Sequence, residues 1–139
     1  MAMTDNIIFT RIWEDDYFFE ANIQFITNTI TVSCDLYLND LMVDELSDGI
    51  NDIVVGSKKT YAWNVGIADS VDSPRLTMEF AEQDKHGRVV LRADLKNEEG
   101  VTATFGMNTE LGLLHSFANR IRRLKTASVG EKIALIEFD

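Results

Sequence analysis

Three kinds of residue are scarce. The chain has one cysteine, one proline and two histidines in 139 residues. Cys34 has no second thiol to pair with, so no internal disulfide holds the fold. His86 and His115 stand in no HExxH or HxH spacing, and one cysteine cannot make a CxxC pair, so no metal site is expected. The phosphate-cradling loops GxxxxGKS/T and GxGxxG are missing, as is the GxSxG elbow of a serine nucleophile. No cofactor is expected. No apolar run approaches the roughly 18 residues of a membrane span. The opening "MAMTDNIIFT" has neither a basic n-region nor an apolar core, so no secretory signal is expected and a cytoplasmic protein is.

Positive charge is short as well. Thirteen Lys and Arg against 23 Asp and Glu leave a net charge of -10. A field of that sign repels phosphate backbones and anionic bilayers, so neither nucleic acid nor membrane is an expected partner. A basic protein would be attracted.

What is present reads as one globular α+β domain spanning 1–139. Hydrophobic residues make up 45% and charged residues 26%, which suits a chain that buries a core without staples. "IIFTRIW" is an expected first strand, ended by the acidic turn "EDD". Alternation in "DYFFEANIQFI" puts Tyr17, Phe19, Ala21, Ile23 and Phe25 on one face. "TITVSCDLYLN" turns Ile30, Val32, Cys34, Leu36 and Leu38 inward in the same way. "TYAWNVGI" and "RLTMEFAEQ" continue the pattern, with the loop "ADSVDSP" between them. "GRVVLRADLK" and "VTATFGMN" follow, the last burying Val101, Ala103, Phe105 and Met107. Short polar turns join the last three, "RLTMEFAEQ", "GRVVLRADLK" and "VTATFGMN", into an antiparallel meander. "KIALIEF" is an expected closing strand. About six to eight antiparallel strands are expected, with two amphipathic helices packed on one face of the sheet.

The helices announce themselves by a change of period. In "NDLMVDELSDGINDIV", Met42, Leu46, Ile50 and Ile53 recur at helical spacing, with Asn39 or Asp40 as cap. Asp40, Asp44, Glu45, Asp48 and Asp52 fall opposite that stripe, and no Lys or Arg lies between Asn39 and Val54. One face of this helix is therefore wholly acidic in sequence. In "TELGLLHSFANRIRRLKTA" the stripe is Leu111, Leu114, Phe117, Ala118, Ile121 and Leu124, with Asn108 or Thr109 as cap. Basic residues gather at its end, where the dipole is negative.

No catalytic set emerges. His86 sits in "DKHG", where Asp84 and Gly87 supply turn chemistry, so a solvated hairpin tip is expected. Cys34 alternates with apolar neighbours and reads as a small hydrophobe. Asp15/Asp16 and Glu98/Glu99 fall at turns, where nothing desolvates one partner. The acidic helix is the least ordinary feature. Its five carboxylates are the candidate binding residues for a basic protein partner. The alternative is a small-molecule pocket, or an enzyme, between sheet and helices, with Tyr61, Trp63 and His115 as liners. A homo-oligomer joined through a sheet edge is a third possibility.

The segments "LTMEFAEQDKHGRVVLRADL" and "TELGLLHSFANRIRRL" resemble small uncharacterised bacterial α+β proteins, some of them immunity proteins of toxin systems. The resemblance covers roughly the C-terminal half of the chain. It carries over no site residues, and it fits the non-catalytic binding role that the charge and the acidic helix suggest, as an immunity or inhibitor protein.

Overall fold

The computed structural model describes residues 5–66 and 73–137. Ile67 and most of the expected loop "ADSVDSP" lie outside the described residues. Eight strands and two helices run in the order β1 (Asn6–Glu14), β2 (Phe19–Ile26), β3 (Thr31–Leu38), α1 (Asp40–Val54), β4 (Thr60–Gly66), β5 (Arg75–Glu82), β6 (Arg88–Lys96), β7 (Thr102–Glu110), α2 (Leu111–Ile121) and β8 (Lys132–Ala134). A 3₁₀ turn, Arg122–Lys125, extends α2. The chain is an α+β protein whose strands pair antiparallel throughout, as the alternation and the two helical stripes imply. The strands divide between two four-stranded sheets, ordered β3-β2-β1-β8 and β4-β5-β6-β7.

The second sheet is a plain meander, the first is the β1-β2-β3 meander with β8 added beside β1, and each turns one apolar face inward. Ile23, Phe25, Cys34 and Leu36 are buried in the first sheet, and Met78, Phe80, Leu91 and Ala93 in the second. Rings knit the layers together: Phe25 meets Phe105 edge-on at 5.4 Å, and Phe9 lies 6.1 Å from Trp63 and 5.9 Å from Phe117. One continuous cluster of buried side chains draws on both sheets and both helices. The outward faces are wet, with polar pairs such as Asn22–Asp35 and Asn64–Thr77.

Helix α1 is capped by Asn39, whose side chain accepts the Met42 N–H at 3.0 Å. Its inward face is Val43, Leu46, Ile50 and Ile53, with Met42 only half-buried at the margin. Gly56, at φ +80°, ends it in the left-handed conformation that glycine tolerates best. Helix α2 starts differently from the sequence expectation. Neither Asn108 nor Thr109 caps it, because both belong to β7, which runs straight into the helix. The carbonyl of Gly87, at the β5–β6 turn, accepts the Leu111 N–H at 2.8 Å instead.

Several alternation expectations fail at strand ends. Val101, Ile30 and Tyr17 are 48%, 42% and 82% exposed, since each lies in a turn before its strand begins pairing. The closing strand is short, but Asn6 prolongs its contact: its side chain accepts the Ile136 N–H and donates to the Ile136 carbonyl. Arg11, a charged residue in an apolar strand, is buried. Its guanidinium donates to the carbonyls of Leu124, Lys125 and Ala127 at 3.0–3.2 Å and lies 4.3 Å over the Phe19 ring. It thereby satisfies carbonyls that the 3₁₀ turn leaves open at its end.

Candidate functional site

The five acidic residues of α1 do share an outward face, but tertiary structure brings cations to part of it. Arg122 donates to Asp44 at 3.0 Å and to Asp48 at 2.6 Å, and Lys125 reaches Asp44 at 2.8 Å. Lys58, beyond the helix end, stands 3.6 Å from Asp52. The face is thus not wholly acidic in the fold. Asp40 and Glu45 have no ion pair among the described residues. The Lys125 hydrogen bond, with the charges of Lys125 and Arg122, holds the Asp44 carboxyl below its ordinary value. The helix packing that allows this is close: the buried Ser47 hydroxyl donates to the Ala118 carbonyl at 2.7 Å.

Beside this face lies an open hollow of about 430 Å³, walled by Glu45, Asp48, Gly49 and Asp52 of α1 and by Tyr61, Ala62, Trp63 and Asn64 of β4. The Tyr61 ring crosses directly over Gly49, where any Cβ would fall inside the ring. Tyr61 donates its hydroxyl to the Glu45 carbonyl at 2.9 Å and stacks on Phe80 at 6.2 Å. Burial and the nearby Glu45, Asp48 and Asp52 push its phenol up to about 12, so it stays a protonated donor. Trp63 is 2% exposed, and its indole N–H is already bound to the Met42 carbonyl at 3.0 Å. It shapes the wall more than it offers a free group. His115 is exposed on α2 and does not line this hollow. Three of the five acidic candidates, Glu45, Asp48 and Asp52, and two of the three aromatic candidates, separate alternatives in the sequence, therefore meet at one place, while Asp40 and Asp44 do not line it.

The remaining reactive types are placed without a reaction. Cys34 is fully buried, and desolvation pushes its thiol up to about 12, far from a working nucleophile. The Asp84 carboxylate accepts the His86 N–H at 2.8 Å in the hairpin tip, with Gly87 at φ +87°. Asp15 accepts the N–H groups of Tyr17 and Phe18, both at 2.8 Å, and these bonds lower its carboxyl. Among the described residues, no three carboxylate, imidazole or thiol groups converge as metal ligands. No described helix is long and apolar enough to cross a membrane.

A second surface was not read from the sequence. Trp13, Tyr17, Phe18 and Tyr37 are all large and exposed, at the end of the first sheet. Two signals were available. "YFF" at 17–19 puts aromatics on both parities, and Tyr37 falls on the wet parity of β3.

No protein-family model matches the chain, and no curated protein compared with it is similar. Its fold is similar to that of a chain from the solved CdiA-CT/CdiI toxin and immunity complex from Enterobacter cloacae. That likeness has a TM-score of 0.54 and 10% identity, and covers 88% of this chain and 99% of that one. At that identity it speaks to the fold.

Proposed function

We propose that this chain is a non-catalytic cytoplasmic binding protein whose acidic α1 face engages a basic protein partner, as an immunity or inhibitor protein of a toxin system. The observation that carries this reading is the α1–β4 hollow. Glu45, Asp48 and Asp52 stand around a tyrosine ring there, and Glu45 has no ion pair among the described residues. An arginine or lysine of a partner would find carboxylates and an aromatic surface in one seat. The net charge of -10 would steer such a partner from a distance. The fold likeness to one chain of a toxin and immunity complex supports the same reading. The small-molecule alternative would use the same hollow, but the three carboxylates on its wall suit a cationic side chain better than an apolar metabolite.

Capture from the native cells at low and moderate salt tests this. The wild-type chain is expected to retain a specific basic protein. Glu45→Gln with Asp52→Asn should lose most of it, while His115→Ala retains it. Capture of no specific protein at either salt, or retention unchanged by the double substitution, would overturn the reading.

A further inference from the structure

The aromatic end of the first sheet is a second recognition surface. Trp13, Glu20 and Tyr37 occupy one cross-strand row, because Glu20 pairs with Trp13 on one side and Tyr37 on the other. Side chains in one such row share a face. Trp13 and Tyr37 meet edge-on at 6.1 Å and remain 46% and 59% exposed. A one-residue register shift between Arg11 and Trp13 marks a bulge in β1, which re-aims the strand end. Next to the row is a hollow of about 640 Å³, whose walls include Phe18, Glu20, Asp35, Leu36, Tyr37 and Glu98.

Its charge is one-sided. Glu98 is brought over from the β6–β7 turn. Asn97 shapes that turn by accepting the N–H groups of Glu99 and Val101, and Glu98 itself accepts the Asp35 N–H on the edge strand at 3.0 Å. Among the described residues, no Lys or Arg lines the hollow. Burial and then the charges of Asp35 and Glu98 push the Glu20 carboxyl up, the mark of acids lacking a counter-ion.

We propose that this hollow docks a basic segment of a partner polypeptide, with an arginine or lysine received by Glu20, Asp35 and Glu98 and an adjacent apolar side chain laid on Phe18 and Tyr37. Charge complementarity selects this occupant. A nucleic acid or anionic bilayer brings the wrong sign. A second copy joined by a two-fold axis would set the same three carboxylates against themselves. Met42 of α1 and Gly66, Ser73 and Pro74 complete the described wall of this hollow, and it shares no described lining residue with the α1–β4 hollow.

The test uses the full chain, labelled with nitrogen-15, and a short peptide alternating arginine and leucine. Control peptides alternate arginine with glycine and glutamate with leucine. The arginine–leucine peptide is expected to shift the Trp13 indole N–H and the amides of Glu20 and Tyr37, leaving those of Glu45 and Tyr61 in place. Tyr37→Ala should weaken it by roughly tenfold or more, as truncation of an anchor does. Asp35→Asn should weaken it too, and Glu45→Gln should leave it within about twofold. Unchanged thermal midpoints would show that the variants remain folded. Four results would each overturn the proposal: no binding, equal binding of the arginine–glycine peptide, shifts centred on α1, or a dimer by sedimentation that Tyr37→Ala dissolves.

Discussion

Two acidic surfaces of this protein look alike in charge and differ in what surrounds them. On α1, two of the five carboxylates have been given cations by the 3₁₀ turn after α2: Arg122 and Lys125 hold Asp44 and Asp48. At the end of the first sheet, Glu20, Asp35 and Glu98 ring an apolar hollow with no cation among the described residues of its wall. The difference teaches that a run of acids in sequence is a poor guide to free negative charge. What counts is which element is folded against it. Exposed ion pairs add little to stability, but they do decide which carboxylates are left to recognise something else.

Arg11 links the two surfaces, so its loss should have the largest effect. It lies in β1 just before the bulge and Trp13, and it holds three carbonyls of the segment that carries Lys125. Arg11→Leu leaves those carbonyls unpaired and is expected to cost about 2–4 kcal/mol. Urea unfolding measures this, and a loss within experimental error would remove Arg11 from its joining role.

Gly49→Val separates the surfaces more selectively. The Tyr61 ring must leave its place over α1, and overpacking of this kind costs about 1–3 kcal/mol. Adding Tyr61→Ala should recover part of that loss, because the clash is with the ring. Binding of the arginine–leucine peptide at the sheet end should be unchanged. Tyr61→Phe is gentler. It removes only the hydrogen bond to the Glu45 carbonyl, for an expected loss of about 0.5–1.5 kcal/mol in the same unfolding assay.

The smallest effects are in pH, and the two surfaces should differ in sign. Asp44 titrates below its ordinary 3.8 in the folded chain. Its contribution to stability is complete above that value and is lost as pH falls through the depressed one. Glu20 titrates above its ordinary 4.5 in the folded chain. Its penalty is absent below 4.5 and sets in as pH rises through the raised value. At neutral pH, Asp44→Asn should therefore lower the thermal midpoint slightly and Glu20→Gln should raise it slightly. Shifts of the same sign in both variants would erase the contrast drawn between the surfaces.

Much of the fold was legible because burial leaves a period. Strands with one dry face alternate, as in "RLTMEFAE" and "RVVLRADLK", and the two helices show their stripes. The failures sit where pairing stops. Tyr17, Ile30 and Val101 continue an apolar pattern into turns that no neighbouring strand covers. The start of α2 was misplaced for a related reason: its first N–H finds its acceptor in Gly87, more than twenty residues away, and no local cap signal exists.

The sequence by itself determined the α+β class, the inward faces of the paired strand interiors, an α1 cap at Asn39 or Asp40, the buried setting of Cys34 and the hairpin-tip setting of His86. Each of these follows from local pattern or turn chemistry, where the deciding neighbours lie within a few residues. Only the tertiary structure decided that the strands form two sheets, that Arg122 and Lys125 neutralise part of α1, and that Glu45 and Tyr61 share a hollow. It alone set Glu98 beside Glu20 and Asp35 around exposed aromatics. Those arrangements depend on residues tens of positions apart, and a charge's partner in space leaves no period in the chain.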